Sequence, residues 1–475
     1  MSEVKPELPA GWAWGRLGDL FDVNPRGFDE VPAEQDLVSR VPMAAVEAGT
    51  GRMDPGEKVR YGDVRSKSLT RFQENDVLFA KITPCMENGK IGLASGLCGG
   101  RAVGSTEFHV FRSRGGIIPR YLLHYLLQPS VRRAAEANMS GAVGQRRVPR
   151  HYLEKLTIPV PPLEEQQRIV ESLEEHLSHL DAANASLDLA AAKIAVLRKS
   201  VLTSLVPEEP PRDWKKSTVG EAGAVELGRA RNPDWHHGPE MRPYLRVANV
   251  FEDRIDTSSI MEMDFSGIFE KYRLHEGDIL LNEGQSPHLV GRPAMYRGTP
   301  PNVAFTNSLL RFKGNREVLP EWALMVFRRH LHARRFMREV RITTNIAHLS
   351  AKRLKTVEFP IPPLEVQKTL VQRCNELLTE AEAAAHGVER GRRRAEALRA
   401  QLLSKAFSGD LVPQDPAGEP APVLLGRIAA QRAAAVPRKK RARRATRAVA
   451  QPRVAEPVPE PTPVPAQSAQ LELPL

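Results

Sequence analysis

The sequence predicts an α+β protein. Two mixed, β-rich domains alternate with two long helices that pair as an antiparallel coiled coil, and a disordered C-terminal tail follows. Three observations carry this expectation. First, the chain repeats itself: Ile158-Pro-Val-Pro-Pro-Leu-Glu-Glu-Gln-Gln-Arg-Ile-Val170 returns as Phe359-Pro-Ile-Pro-Pro-Leu-Glu-Val-Gln-Lys-Thr-Leu-Val371, an offset of 201. Upstream the offset becomes 202, taking Trp12 to Trp214, Gly18 to Gly220 and Asp76 to Asp278. A repeat that long is a duplicated domain, since solenoid units span only ~20–50 residues. Second, each copy ends in a heptad-spaced helix. Third, the last sixty residues change character, to Pro, Ala and basic residues. The expected division is 1–157 mixed domain, 158–206 hinge and helix, 207–358 mixed domain, 359–412 hinge and helix, and 413–475 tail.

The mixed segments hold short strand-like runs. Asp76-Val-Leu-Phe-Ala-Lys-Ile82, Phe108-His-Val-Phe111 and Asp278-Ile-Leu-Leu281 are bounded by dense Gly and Pro, as in β-rich domains with long loops. Helices are expected near Pro119–Gln128 and Pro320–Phe336, each with Pro at its N-terminal edge. The hinges Pro159-Val-Pro-Pro162 and Pro360-Ile-Pro-Pro363 stop the preceding strand. Glu164, Glu165 and Glu365 then sit in a first helical turn, where the helix dipole favours acid.

In the first long helix Leu173, Leu177, Leu180, Asn184, Leu187, Ala191 and Ile194 step by four and three, the coiled-coil period. Asn184 is either a register-setting polar residue or a frayed, solvent-facing one. The second helix gives Cys374, Leu377, Ala381, Ala384, Val388, Gly391, Ala395, Leu398 and Leu402. Gly391 costs ~1 kcal/mol of helix propensity relative to Ala, so packing must supply it. A helix from Leu163 to Leu205 spans roughly 65 Å. Two such helices most simply pair with each other; the alternative is that each packs on its own domain or on another subunit. After Val412 too few apolar residues remain for a core, which predicts disorder.

Length and charge bound the function. The chain has 475 residues, 68 Lys or Arg against 57 Asp or Glu, and a formal charge of +11. Ten Lys or Arg and no acid lie between Arg427 and Arg453. A polyanionic partner fits this balance, as does a merely solvated surface. Arg438-Lys-Lys-Arg-Ala-Arg-Arg444 would attract phosphates or simply solubilise. The three cysteines form no C-x-x-C pair, which speaks against a zinc site or a disulfide framework and for a reducing cytoplasm. No secretion signal and no apolar run near ~20 residues is visible, so no membrane role is expected.

Catalytic motifs are missing. Asn24-Pro25-Arg26-Gly27-Phe28 and Asn232-Pro233-Asp234-Trp235 come near an adenine-methyltransferase loop but lack its second Pro, and read as turns. Gly89-Lys90 has no glycine five residues before it, so it is no phosphate-binding loop for ATP. His236-His237 lack a spaced partner for a metal. No catalytic and no metal-binding residue is expected; the chain reads as a binder.

Residues suited to nucleic acid cluster in loops. Lys81, Thr83, Asn88 and Lys90 follow a strand directly, and Arg146 and Arg147 add donors. The second copy offers Asn282, Gln285 and Arg292, with Thr343, Thr344 and Asn345 standing where Ala142-Val-Gly144 stand in the first. Arg and Lys suit guanine edges and phosphates, while Asn and Gln can pair bidentately with adenine. Hinges and helices repeat closely while these loops diverge, as one scaffold reading two short sequences would require.

The paired Pro-Pro-Leu-Glu-x-Gln hinges at Pro161–Gln166 and Pro362–Gln367 carry a family resemblance. So do Asp76-Val-Leu-Phe-Ala-Lys-Ile-Thr-Pro84, Gly104-Ser-Thr-Glu-Phe-His109, Gly144-Gln-Arg-Arg-Val-Pro149 and Ala406-Phe-Ser-Gly-Asp-Leu411. From Trp12 to Val412 the chain resembles the specificity subunit of a type I restriction-modification system; the tail after Gln414 lies outside that pattern. The resemblance implies two target-recognition domains, each reading part of a split double-stranded DNA site. It implies that the helices form a spacer through Leu173, Leu177, Leu180, Asn184, Leu187, Ile194, Leu377, Val388, Leu398 and Leu402. Two methyltransferase subunits, holding S-adenosylmethionine, would dock there, alongside motor-nuclease restriction subunits. No cofactor would bind this chain directly. The competing reading is a coiled-coil scaffold without sequence-specific DNA binding. A self-contained enzyme would need a cofactor fold for which the length leaves no room.

Overall fold

The computed structural model describes residues 7–142, 144–343 and 346–435. The chain forms two compact units. One holds residues 1–167 together with the segment from Gln414 onward, and the other holds Arg168–Pro413.

In the first unit the expected strands form around a four-stranded antiparallel sheet. Its order is Phe21–Val23, Phe108–Ser113, Val77–Ala80, Ile91–Leu93. A second sheet runs Glu57–Arg60, Leu37–Val41, Arg101–Gly104, Thr70–Gln73, with Leu37–Val41 parallel to Arg101–Gly104. The second unit repeats the first sheet strand for strand: Gly223–Leu227, Leu309–Gly314, Ile279–Asn282, Pro293–Met295. The runs read from sequence at Asp76, Phe108 and Asp278 are therefore central strands. Every residue of Val77–Ala80 and Ile279–Asn282 is buried, which accounts for their near-continuous apolar character. The helices begin at Pro119 and Pro320 as expected and run to Leu127 and His332.

The repeated hinge has a mechanical reason. Gln166 Oε1 accepts from the Ile118 N–H at 3.0 Å, and its Nε2 donates to the Gly116 and Pro161 carbonyls, both at 3.1 Å. Gln367 makes the same three bonds in the second unit, to Leu319, Glu317 and Pro362. Both glutamines are fully buried. The amide thus ties the start of the long helix to the turn before the helix that begins at Pro119 or Pro320. A second tie comes from different chemistry at matched positions: Tyr121 Oη donates to Pro159 O and Trp322 Nε1 to Pro360 O, each at 2.9 Å. In Gln367→Leu the Leu319 N–H and two carbonyls lose their partner. Each buried orphan costs about 1–3 kcal/mol. Thermal denaturation should show a melting point lower by about 2–4 °C for each kcal/mol of stability removed. An unchanged melting point would mean that the amide braces nothing.

The two long helices span Leu163–Leu205 and Leu364–Ser408. Within the second unit they pair antiparallel. Arg399 reaches Asp181 at 3.0 Å and Arg392 reaches Asp188 at 2.6 Å, so seven residues forward on one helix match seven backward on the other. In the first helix Leu173 and Leu177 are buried, and Leu180, Asn184, Leu187, Ala191 and Ile194 are half-buried, as the heptad reading requires. Asn184 thus lies in the seam. In the second, Cys374, Ala381, Val388 and Ala395 are buried and Leu377, Gly391 and Leu402 half-buried. Ala384 and Leu398 depart from the expectation: both are exposed, and Ala385 and Arg399 take the seam instead. Arg399 is half-buried and pairs its charge with Asp181, a seam contact that a hydrophobicity pattern does not register. A Cβ on Gly391 would stand 3.0 Å from Leu187 Cδ2, so close helix approach explains the glycine.

The tail departs further from expectation. Ala421–Ala435 is a helix of the first unit. Ala421, Leu424 and Ile428 form a buried stripe, and Leu424 and Ile428 cover Gly116. The Ala421 N–H bonds to Gly11 O at 2.8 Å. Three apolar residues at helical spacing suffice here because a ready surface receives them. The rest of the expected disordered tail, including Arg438–Arg444, lies outside the described residues.

Candidate nucleic-acid interface

In each unit the loop leaving the central strand pairs with the segment that returns toward the hinge. In the first unit, Ser140 and Arg147 exchange backbone hydrogen bonds at 3.0 and 2.8 Å. The Thr83 N–H then donates to Arg146 O at 3.1 Å and the Val148 N–H to Lys81 O at 2.9 Å. Lys81, Thr83, Arg146 and Arg147, which come from separate stretches of sequence, are thereby joined in one ledge.

Their side chains differ in freedom. Lys81 is half-buried and its ammonium makes no hydrogen bond or ion pair among the described residues, though it lies in the field of Glu107. Asn88 is exposed. Thr83 Oγ1 is buried without a partner. Arg147 forks onto Glu107 with two bonds of 2.9 Å, and this guanidinium holds the Glu107 carboxyl below its ordinary value. Arg146 reaches Glu87 at 3.3 Å and Glu136 at 3.9 Å. Both arginines keep about two-fifths of their side-chain surface exposed, so the acids aim them and leave outer N–H groups available. Lys90 turns the other way: its Nζ donates to Met43 O at 3.0 Å and pins the loop to the domain.

Sequence alone does not single out the residues that hold this ledge. His109 is buried; its Nε2 meets the Val148 carbonyl at 2.8 Å and its Nδ1 meets Asn24 Nδ2 at 2.9 Å. A carbonyl needs a donor, so Nε2 carries the proton and Nδ1 accepts. Burial depresses the pKa of His109 and favours this neutral form. The Gly104–His109 stretch stands out in the sequence as a motif, but its role as a pin needs Asn24 and Val148 beside it.

The second unit builds the same junction with other residues. Gly284–Gln285 pairs with Ile346–His348, which pairs with Arg341–Thr343. The Leu349 N–H bonds to Glu283 O at 2.8 Å. Gln285 is half-buried, its Oε1 accepting from the Ser286 N–H. The Arg292 guanidinium lies 4.7 Å from the Phe251 ring centre, with Arg254 on the same ring at 4.4 Å, and burial lowers the Arg292 pKa. Asn282 departs from expectation: it is fully buried, with neither amide atom partnered, and presents nothing to a ligand. It closes a strand buried on both faces, where the first copy has Ala80. Of the other candidates, Thr343 lies in a strand, and Thr344 and Asn345 fall outside the described residues.

No cluster of three or more His, Cys, Asp or Glu able to hold a metal occurs among the described residues. No described helix is long and apolar enough to cross a membrane.

Comparison with known proteins fits this duplicated geometry. The family model described as the type I restriction modification DNA specificity domain matches twice, over residues 9–188 and 211–383. The chain is 26% identical over 481 aligned residues to the EcoAI type I restriction enzyme specificity subunit of Escherichia coli, covering 79% of each. Among solved structures, one from work on assembly and conformational transition of the type I restriction-modification system shares the fold with a TM-score of 0.68 at 20% identity. It matches 86% of this chain and all of the other. The HsdS subunit from Thermoanaerobacter tengcongensis gives 0.53 at 21% identity, with the same coverage.

Proposed function

The chain belongs to the type I restriction modification DNA specificity family, and from that premise we propose how it selects its target. It is a sequence-specific double-stranded DNA-binding specificity subunit of a type I restriction-modification complex. Each mixed domain reads one part of a split site through its ledge, and the paired helices act as the spacer. Spacing between half-sites is then a consequence of protein geometry. Two methyltransferase subunits dock on the chain and methylate adenine, and motor-nuclease subunits restrict unmodified DNA, all in the cytoplasm. S-adenosylmethionine is assigned to the methyltransferase subunits, because this sequence offers no glycine-rich strand-to-helix turn to hold it. The chain itself contributes recognition rather than catalysis.

One observation carries this reading. The two units build the same junction of strand-end loop and return segment, yet fill it with different side chains: Lys81, Arg146 and Arg147 in one, Gln285, Arg341 and His348 in the other. A shared backbone with divergent polar contents is what two different base sequences demand. Mapping N6-methyladenine across the host genome, with and without this protein, tests it. A bipartite motif whose methylation disappears with the protein is expected. An unchanged map, with the methyltransferase subunits present, would sink the proposal.

A further inference from the structure

The first unit has a basic cleft beside its ledge, and we infer that it grips a phosphate of the DNA backbone, with the tail helix forming one wall. The inference rests on the DNA-reading role above and adds where the backbone is held.

The cleft has a volume of about 430 Å³, and Arg26, Arg114, Arg150 and Arg432 line it together with Asp22 and Glu154. These arginines come from four separate segments, the last from the helix Ala421–Ala435. Three are held in place by acids: Arg114 by Asp22, Arg150 by Glu154 at 2.8 Å, and Arg432 by Asp19. Arg150 and Arg432 still have donors to spare. Arg114 gives Nε and Nη2 to Asp22, and its Nη1 is buried without a partner. Arg150 bonds through Nε and Arg432 through Nη1. Arg26 is exposed and makes no hydrogen bond or ion pair among the described residues. Four guanidiniums against three carboxylates leave positive charge in excess. Acid-anchored forks with free N–H groups suit a tetrahedral anion.

Position selects the class of anion. Asn24, two residues before Arg26, accepts from the Val110 N–H at 3.0 Å and meets His109, which meets Val148, whose N–H meets Lys81 O. One hydrogen-bonded run thus connects the cleft to the ledge. A strand read at the ledge can lay its backbone in the cleft, and a grip on phosphate sets register without reading sequence. At the matching offsets the second copy has Glu226, Gly228, Asn315 and Ala351 in place of Asn24, Arg26, Arg114 and Arg150, and no counterpart of Arg432.

The test uses the full chain assembled with its methyltransferase subunits, bound to target duplex over a range of salt. Arg26→Ala and Arg432→Ala are each expected to flatten the plot of log affinity against log salt by about 1 for each phosphate no longer gripped. Affinity should fall by the same factor on target and non-target duplexes, and Arg432→Lys should restore most of the slope. An unchanged slope in both alanine variants would overturn the inference. So would a changed target sequence, which would mean that these arginines read bases. Failed assembly with an unchanged slope would overturn it too, since the cleft would then serve a protein partner. If the wild-type complex itself fails to prefer its target, the parent reading fails instead.

Discussion

Leu177→Asp is expected to unfold the helix pair. Leu177 is 6% exposed in the seam of the first long helix. Truncating such a side chain costs about 2–5 kcal/mol, and placing a carboxylate there adds a desolvation penalty. The sum reaches a large part of the ~5–15 kcal/mol that keeps a domain folded. Denaturant titration followed by circular dichroism should show reduced helix, and the methyltransferase subunits should no longer co-purify. Leu189→Asp is the control: Leu189 sits twelve residues along the same helix, 58% exposed, and its change should stay within about 0.5 kcal/mol. If the two variants behave alike, the seam assignment is wrong.

Lys81→Ala is expected to weaken recognition of one half-site alone. A hydrogen bond to a base edge is worth about 1–3 kcal/mol of discrimination, roughly 5- to 150-fold. Methylation of duplexes altered one base at a time should show relaxed selectivity at one or two positions in one half, with the other half unchanged. A uniform loss across both halves would mean that Lys81 only holds backbone. Lys90→Ala separates the two roles. Because Lys90 Nζ is engaged with Met43 O, its removal should lower stability by about 1.5–3 kcal/mol and leave the preferred sequence intact. In the sequence the two lysines look equivalent; in the structure the Lys90 ammonium is engaged by Met43 O, while the Lys81 ammonium has no hydrogen-bond partner among the described residues.

Legibility differs by element for physical reasons. The hinge is plain because proline, acid and glutamine act within a few residues of each other, although the carbonyls that Gln166 ties down lie up to fifty residues away. The first helix seam is legible throughout, since its buried positions are apolar or Asn. The second misleads at Leu398, which is exposed while the neighbouring Arg399 is half-buried and paired with Asp181 across the seam. The tail helix is hidden because its three-residue stripe has meaning only beside Gly116 and Gly11. Asn282 looks like a donor for adenine because polarity suggests exposure, yet it ends a strand buried on both faces.

The sequence by itself determined the duplication, the alternation of mixed domain and long helix, the hinge positions and the family. All of these are written in local period and residue identity, which survive without knowledge of what lies opposite. Only the tertiary structure decided which loop residues face outward, which arginines are aimed by acids, and that the tail helix joins the first domain. Those outcomes depend on partners distant in sequence: Met43 for Lys90, Glu107 for Arg147, Asp19 for Arg432. The direction of a polar side chain is set by the nearest group that can satisfy it, and folding alone brings that group near.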